Sequence, residues 1–262
     1  MSTLARWRIL PAGILIVLAA GVGQEVAADT PRAEGVAKVM AGDTLRAVGV
    51  ATLIVGDTSA SAGPAQAAVV SDPAAARTLV ELVKLDSTIR LDIKYATSDN
   101  FMGRPMYAQA RAFLQRPAAE ALVRANRSLK KQGFGLLVFD GYRPWAVTKK
   151  FWDETPAVQR KFVANPRKGS KHNRGCAVDL TLIDLKTGQE VSMPSPYDDF
   201  SDKASSSYRG GTAGQRRLRG VLRAAMERQG FRVEPSEWWH FDYKDWRKYP
   251  LLDIPFEKLP PR

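Results

Sequence analysis

The 262 residues are 45% apolar and 25% charged, ordinary proportions for a soluble globular chain of one large domain or two small ones. The net charge of +12 suits attraction to an anionic surface such as a membrane face or a cell wall. The basic residues form no long block, which argues against a nucleic-acid partner, and the lone Cys176 excludes an intrachain disulfide.

Residues 1–28 have the layout of an export signal. Arg6 and Arg8 precede an apolar run, Ile9–Val22, and Val26-Ala27-Ala28 supplies small residues for cleavage. The run is short for a membrane span, so cleavage without lasting membrane insertion is expected, an uncleaved anchor being the alternative. Residues 29–77 are rich in Ala, Gly, Val, Ser and Thr, and are expected to be a poorly ordered linker. Leu53–Val55 is the one stretch there that suits a short strand.

The folded domain is expected over 78–262. LVELVKL and IRLDIKYA read as extended, the second because Ile89, Leu91 and Ile93 alternate with polar residues. TSDNFMGRPMY is a loop. A helix follows, with Ala118, Leu122, Ala125 and Leu129 on one stripe, Pro117 in its first turn and Gly133 at its end. FGLLVFD is a buried central strand that ends at the turn DGYRP. Pro144 opens a second helix through Trp145, Val147 and Phe151. The loop SKHNRG then leads into the strand CAVDLTLID, on which Asp179 and Thr181 face away from Val178, Leu180 and Leu182. The polar stretch MPSPYDDFSDKASSSYRGG suits a loop bordering a site. The last helix carries Leu218, Val221, Leu222, Ala225 and Met226 inward and five arginines on its other faces. FRVEPSEWWHFDY is expected to be a strand broken at Pro235-Ser236.

The only two histidines of the chain, His172 and His240, each lie near a carboxylate, Asp179 and Glu237. Two imidazoles and a carboxylate are a ligand set for catalytic zinc, which keeps one position open. The same set suits non-haem iron, but no cosubstrate for oxygen chemistry is indicated. Glu237 is three residues from His240, and in an ideal strand such residues face opposite ways. It reaches the site only if the chain is irregular there, and then it can act as general base and acid. Otherwise it is a solvated strand end. Arg143, on the turn after a buried strand, can stabilise an oxyanion or simply pair with Asp140. Cys176 suits a small buried residue at the start of a strand.

SKHNRGCAVDL fits Ser-x-His-x-x-Gly-x-Ala-x-Asp, and EWWHF fits Glu-x-x-His. With LDIKYATSDNFMGRP and DGYRP in the same order, the chain from Leu79 onward resembles the D-alanyl-D-alanine dipeptidases of the VanX type, which are zinc peptidases. The resemblance implies an α+β domain with a central antiparallel sheet flanked by helices and the zinc site at a sheet edge or cleft. It implies one zinc ion on His172, Asp179 and His240, with Glu237 as general base and acid and Arg143 stabilising the transition state. Tyr95, Ser170 and Asp198, or else Asp199, would receive the ammonium end of a small dipeptide substrate. Glycopeptide-resistance members of that family work in the cytoplasm. An export signal instead suggests a periplasmic or extracellular enzyme of wall turnover. A DD-carboxypeptidase acting on peptidoglycan stem peptides and a non-catalytic wall-binding module remain the alternatives.

Overall fold

The structure is a computed structural model that describes residues 67–259. The export signal at 1–28, the short strand at Leu53–Val55 and the linker as far as residue 66 lie outside the described residues. In chain order the elements are β1 (Val69–Val70), β2 (Leu79–Glu81), α1 (Leu82–Leu85), β3 (Arg90–Leu91), β4 (Phe113–Gln115), α2 (Arg116–Lys130) and β5 (Phe134–Asp140). Then follow α3 (Trp145–Glu154), β6 (Ala177–Asp184), α4 (Ala213–Glu227), β7 (Phe231–Glu234), β8 (Glu237–Tyr243) and β9 (Leu251–Leu252). Among the described residues no helix is long and apolar enough to cross a membrane.

The principal sheet has five strands in the order β3-β5-β6-β8-β7. It is mixed where an antiparallel sheet was expected: β3 runs parallel to β5, and the other pairings are antiparallel. The connection from β3 to β5 passes through β4 and α2, the long crossover that a parallel pair requires. α2 and α4 pack against each other and against the sheet, α2 chiefly on β5 and α4 on β7 and β6. The apolar stripe of α2 is fully enclosed there, with Ala118, Leu122, Ala125 and Leu129 all at 0% exposure. α4 opens on a capping box in which Thr212 accepts from Gln215 N and the Gln215 side chain accepts from Thr212 N. Three of its arginines serve local structure: Arg216 and Arg219 donate to carbonyls of the preceding loop and Arg223 to Glu227.

Several elements differ from expectation for identifiable reasons. Residues 67–77, grouped with the linker on composition, carry β1 and a 3-10 turn at Pro73–Thr78. β1 pairs in parallel with β9, Val69 beside Leu251, so its partner comes from the far end of the chain. LVELVKL is extended only through Glu81 and then makes one helical turn, α1. In IRLDIKYA the strand is only β3, and Lys94–Ala96 turns as a 3-10 helix that buries Tyr95. FRVEPSEWWHFDY is not one broken strand but a hairpin, with Pro235-Ser236 as its turn between β7 and β8.

Candidate active site

The site is laid out by strand register. Asp179 on β6 is paired with Asp140 of β5 on one side and with His240 of β8 on the other. Three chemically active side chains therefore stand in one row over the middle of the sheet, in a cleft and not at the sheet edge. Two irregularities make the row. In β5 the register slips between Val138 and Asp140, which brings Asp140 opposite Asp179. In the β7–β8 hairpin it slips between Val233 and Glu234, so Glu234 faces Glu237 instead of His240. That second slip lets Glu237 and His240 share a face, with Glu237 Oε2 3.7 Å from His240 Nδ1.

His172 comes from the loop before β6, and hydrogen bonds fasten that loop to the DGYRP turn. Arg143 N donates to the His172 carbonyl at 3.1 Å. Asn173 donates to the Arg143 carbonyl and to Thr148 Oγ1, and accepts from Ser170 N. Gly175 ends the turn with φ +65°, and a Cβ there would collide with the Leu79 side chain, so both conformation and space call for glycine.

The hydrogen bonds behind the two imidazoles decide which nitrogen faces forward. His172 Nδ1 lies 2.7 Å from the Gly141 carbonyl, which can only accept, so Nδ1 carries the proton and Nε2 a lone pair. His240 Nε2 lies 2.9 Å from the Asp242 carboxylate, so Nε2 is the donor and Nδ1 the lone pair. Those two lone pairs meet each other at 3.1 Å. Both also meet Asp179 Oδ1, at 3.3 Å from His172 and 3.0 Å from His240. Three acceptors this close repel unless a cation lies among them. The spacing also fits one, since ligands about 2.0–2.1 Å from a tetrahedral zinc stand about 3.3 Å apart. With no cation, a proton takes its place. Burial pulls the His240 pKa down, but hydrogen bonds to Asp179 and Asp242 outweigh it and hold it well above the usual value. Burial would likewise raise Asp179, yet His172 and His240 keep it well below the ordinary carboxylate range. His172, Asp179 and His240 thus form a group that could hold a metal ion in both chemistry and geometry.

Around them lies a cavity of about 280 Å³, room for a small ligand. Tyr95, Arg143, Ser170, Asp198 and Glu237 all line it together with the metal-binding group. Burial, helped by the nearby charges of Asp179 and Glu234, pushes Glu237 up to about 7. Arg143 makes the ion pair with Asp140, Nε at 3.0 Å and Nη2 at 2.7 Å, and still faces the cavity. Asp198 adopts a left-handed conformation, φ +56°. It accepts from the Tyr95 hydroxyl at 3.1–3.2 Å. Burial first, and then the charge of Asp179, hold Asp198 well above the usual carboxylate range. Asp199 lines the same cavity, but it is Asp198 that meets Tyr95. The Ser170 hydroxyl accepts from His172 N at 3.2 Å. Cys176 is buried immediately before β6, its thiol pushed up to about 12 by burial.

Three supporting residues were not singled out from the sequence. Asp242 orients His240 and is itself held by Lys171 at 2.8 Å. Tyr197 donates to Asp179 Oδ2 at 3.0 Å. Asp140, seen beforehand only as a partner for Arg143, also accepts from the Tyr107 hydroxyl and from Gly141 N, both at 2.8 Å. Asp242 had a signal, since residues two apart on a strand share a face.

The Peptidase_M15 family of D-Ala-D-Ala dipeptidases matches residues 75–256. The chain belongs to this family. It is 36% identical over 190 residues to the D-alanyl-D-alanine dipeptidase of Enterococcus faecium, covering 64% of this chain and 92% of that one. To the D-alanyl-D-alanine dipeptidase of Escherichia coli (strain K12) it is 33% identical over 174 residues, 66% of this chain and 89% of the relative. As a member of the D-Ala-D-Ala dipeptidase family the chain is a metallopeptidase, and the three converging lone pairs form a group that could hold a metal ion.

Proposed function

We propose that this chain hydrolyses the free dipeptide D-alanyl-D-alanine to two D-alanines, with one zinc ion held by His172, Asp179 and His240. The observation that carries the proposal is the meeting of three lone pairs at 3.0–3.3 Å beside a carboxyl group poised near neutrality. When bound, zinc makes water acidic near neutral pH and polarises a carbonyl.

The rest is work for the chain's own side chains. Glu237, with a pKa of about 7, accepts a proton from the attacking water and returns it to the leaving amine. Asp140 engages Nε and Nη2 of Arg143, which leaves Nη1 to donate to the oxygen where negative charge develops. Asp198 is a buried carboxylate held well above its ordinary pKa by that burial, so its charged form gains from an ammonium brought into the cavity. Tyr95 and Ser170 complete that end. This assigns the amino end of the dipeptide to Asp198 and the scissile bond to the space between Glu237 and Arg143.

The layout of residues 1–28 supports export, and a wall-turnover role outside the cytoplasm follows from it. The decisive assay is release of D-alanine from D-Ala-D-Ala by the purified protein, before and after chelation and after zinc is restored. No release from the zinc-loaded protein, or full release after exhaustive chelation, would sink the proposal. Export is tested separately by fractionating cells that express the full chain, where retention in the cytoplasm would contradict it.

A further inference from the structure

We infer that a row of phenylalanines closes the amino end of the cavity and makes the enzyme refuse peptides extended beyond the dipeptide. This rests on the dipeptidase function proposed above and names what sets its length limit. The row begins at Phe162, in the segment after α3, and its ring stacks on Phe200 with centroids 4.9 Å apart and planes 13° from parallel. Phe200 meets Phe101 at 5.2 Å, Phe101 meets Phe151 at 5.0 Å, and Phe151 meets Tyr95 at 4.7 Å. All five rings line the cavity that holds the metal-binding group.

Position gives the row its role. Tyr95 is the residue whose hydroxyl holds Asp198, and Phe200 follows Asp198 by two residues. The left-handed turn at Asp198 puts its carboxylate against Tyr95 while the chain goes on to deliver Phe200 to the stack. The aromatic row therefore flanks the place assigned to the substrate ammonium. An acyl group or further residue on that nitrogen needs about 3.5 Å of additional extended chain. It meets rings there, with no peptide-binding strand edge among the cavity-lining residues of this row. Phe162 and Phe200 come from separate segments and both rings line the cavity, so truncating either one thins the aromatic wall. Offset-stacked rings of this kind hold each other beyond simple burial, and removing one loosens the other.

The experiment compares kcat/KM for D-Ala-D-Ala and for N-acetyl-D-Ala-D-Ala in the zinc-loaded wild type, Phe162→Ala, Phe200→Ala, the double variant, and Phe162→Tyr, which keeps the ring. The double variant is expected to lose at least tenfold of the wild-type preference for the free dipeptide, through a rise on the acetylated peptide, while Phe162→Tyr keeps the preference. If alanine at position 162 impairs folding, Phe162→Leu serves as the second probe. A preference ratio within twofold of wild type in folded, active variants overturns the inference and leaves the dipeptidase function standing. A wild-type enzyme that cleaves the acetylated peptide as fast as the free one removes the function on which the inference rests.

Discussion

Replacing Asp242 by Asn tests whether the back of the metal site sets its affinity. Asp242 uses its two oxygens for two donors: Oδ1 accepts from His240 Nε2 at 2.9 Å and Oδ2 from Lys171 Nζ at 2.8 Å. Asparagine offers one oxygen and one NH2 in the same place, so one donor faces another donor. If the amide group turns its NH2 to His240, the imidazole must shift its proton to Nδ1, the atom that should bind metal. If the amide turns the other way, the Lys171 ammonium is opposed and the carboxylate charge that made the imidazole more basic is gone. Loss of such a supporting contact costs about 10–100-fold in metal affinity, or about 1.4–2.7 kcal/mol. The zinc dissociation constant, measured by competition with a chelator of known affinity, should rise by that factor. Adding Lys171→Met to Asp242→Asn removes the competing donor and frees the amide oxygen for His240, so the double variant should recover part of the loss. A dissociation constant within twofold of wild type for Asp242→Asn would refute the tautomer argument. So would a double variant that binds more weakly than the single one.

The remaining expectations concern the reaction and the fold. Glu237→Gln should retain zinc and lose about 10²–10⁴ in kcat; wild-type turnover would remove Glu237 from the chemistry. Glu237 must be ionised to act. Its pKa of about 7 falls further when a cation is bound beside it, so kcat/KM should decline tenfold per pH unit below an inflection at or under pH 7. A pH profile of the zinc enzyme whose acid limb is centred above pH 8 would contradict that assignment. Arg143→Lys keeps the charge but loses the planar fork, and kcat should fall about 10²–10³ with little change in zinc content, whereas unchanged kcat would limit Arg143 to a structural role. Asp140→Ala strands a buried guanidinium and two further donors, Tyr107 Oη and Gly141 N. Urea unfolding should show a loss of about 3–5 kcal/mol, and a loss under about 1 kcal/mol would mean that Arg143 finds another partner.

How much of this was legible beforehand depends on whether a signal is local. His172, Asp179 and His240 were readable because histidine is scarce in this chain and strand alternation sends Asp179 away from the core side chains. α2, α3 and α4 were readable because each buries a face with the helical period, β5 because it is a continuous apolar run, and β6 because its residues alternate. The sheet's mixed character was not, since whether β3 runs parallel to β5 depends on a crossover and not on the residues of either strand. β1 was hidden for the same reason: two valines in a small-residue stretch become a strand only beside Leu251 and Leu252.

Glu237 shows most clearly what register adds to sequence. Its spacing from His240 argued against a shared face, and Pro235-Ser236 drew attention to the wrong irregularity. Pro235-Ser236 only turns the hairpin. The slip between Val233 and Glu234 is what removes the ideal alternation along β8 and leaves Glu237 at 3.7 Å from His240. A corresponding slip in β5 sets Asp140 opposite Asp179, where two like charges would be costly without the Arg143 guanidinium at 2.7 Å from one and 3.8 Å from the other. The two register slips thus do separate jobs on opposite sides of β6. One brings the proposed base to the metal ligands, and the other anchors the proposed oxyanion donor through the same central carboxylate row.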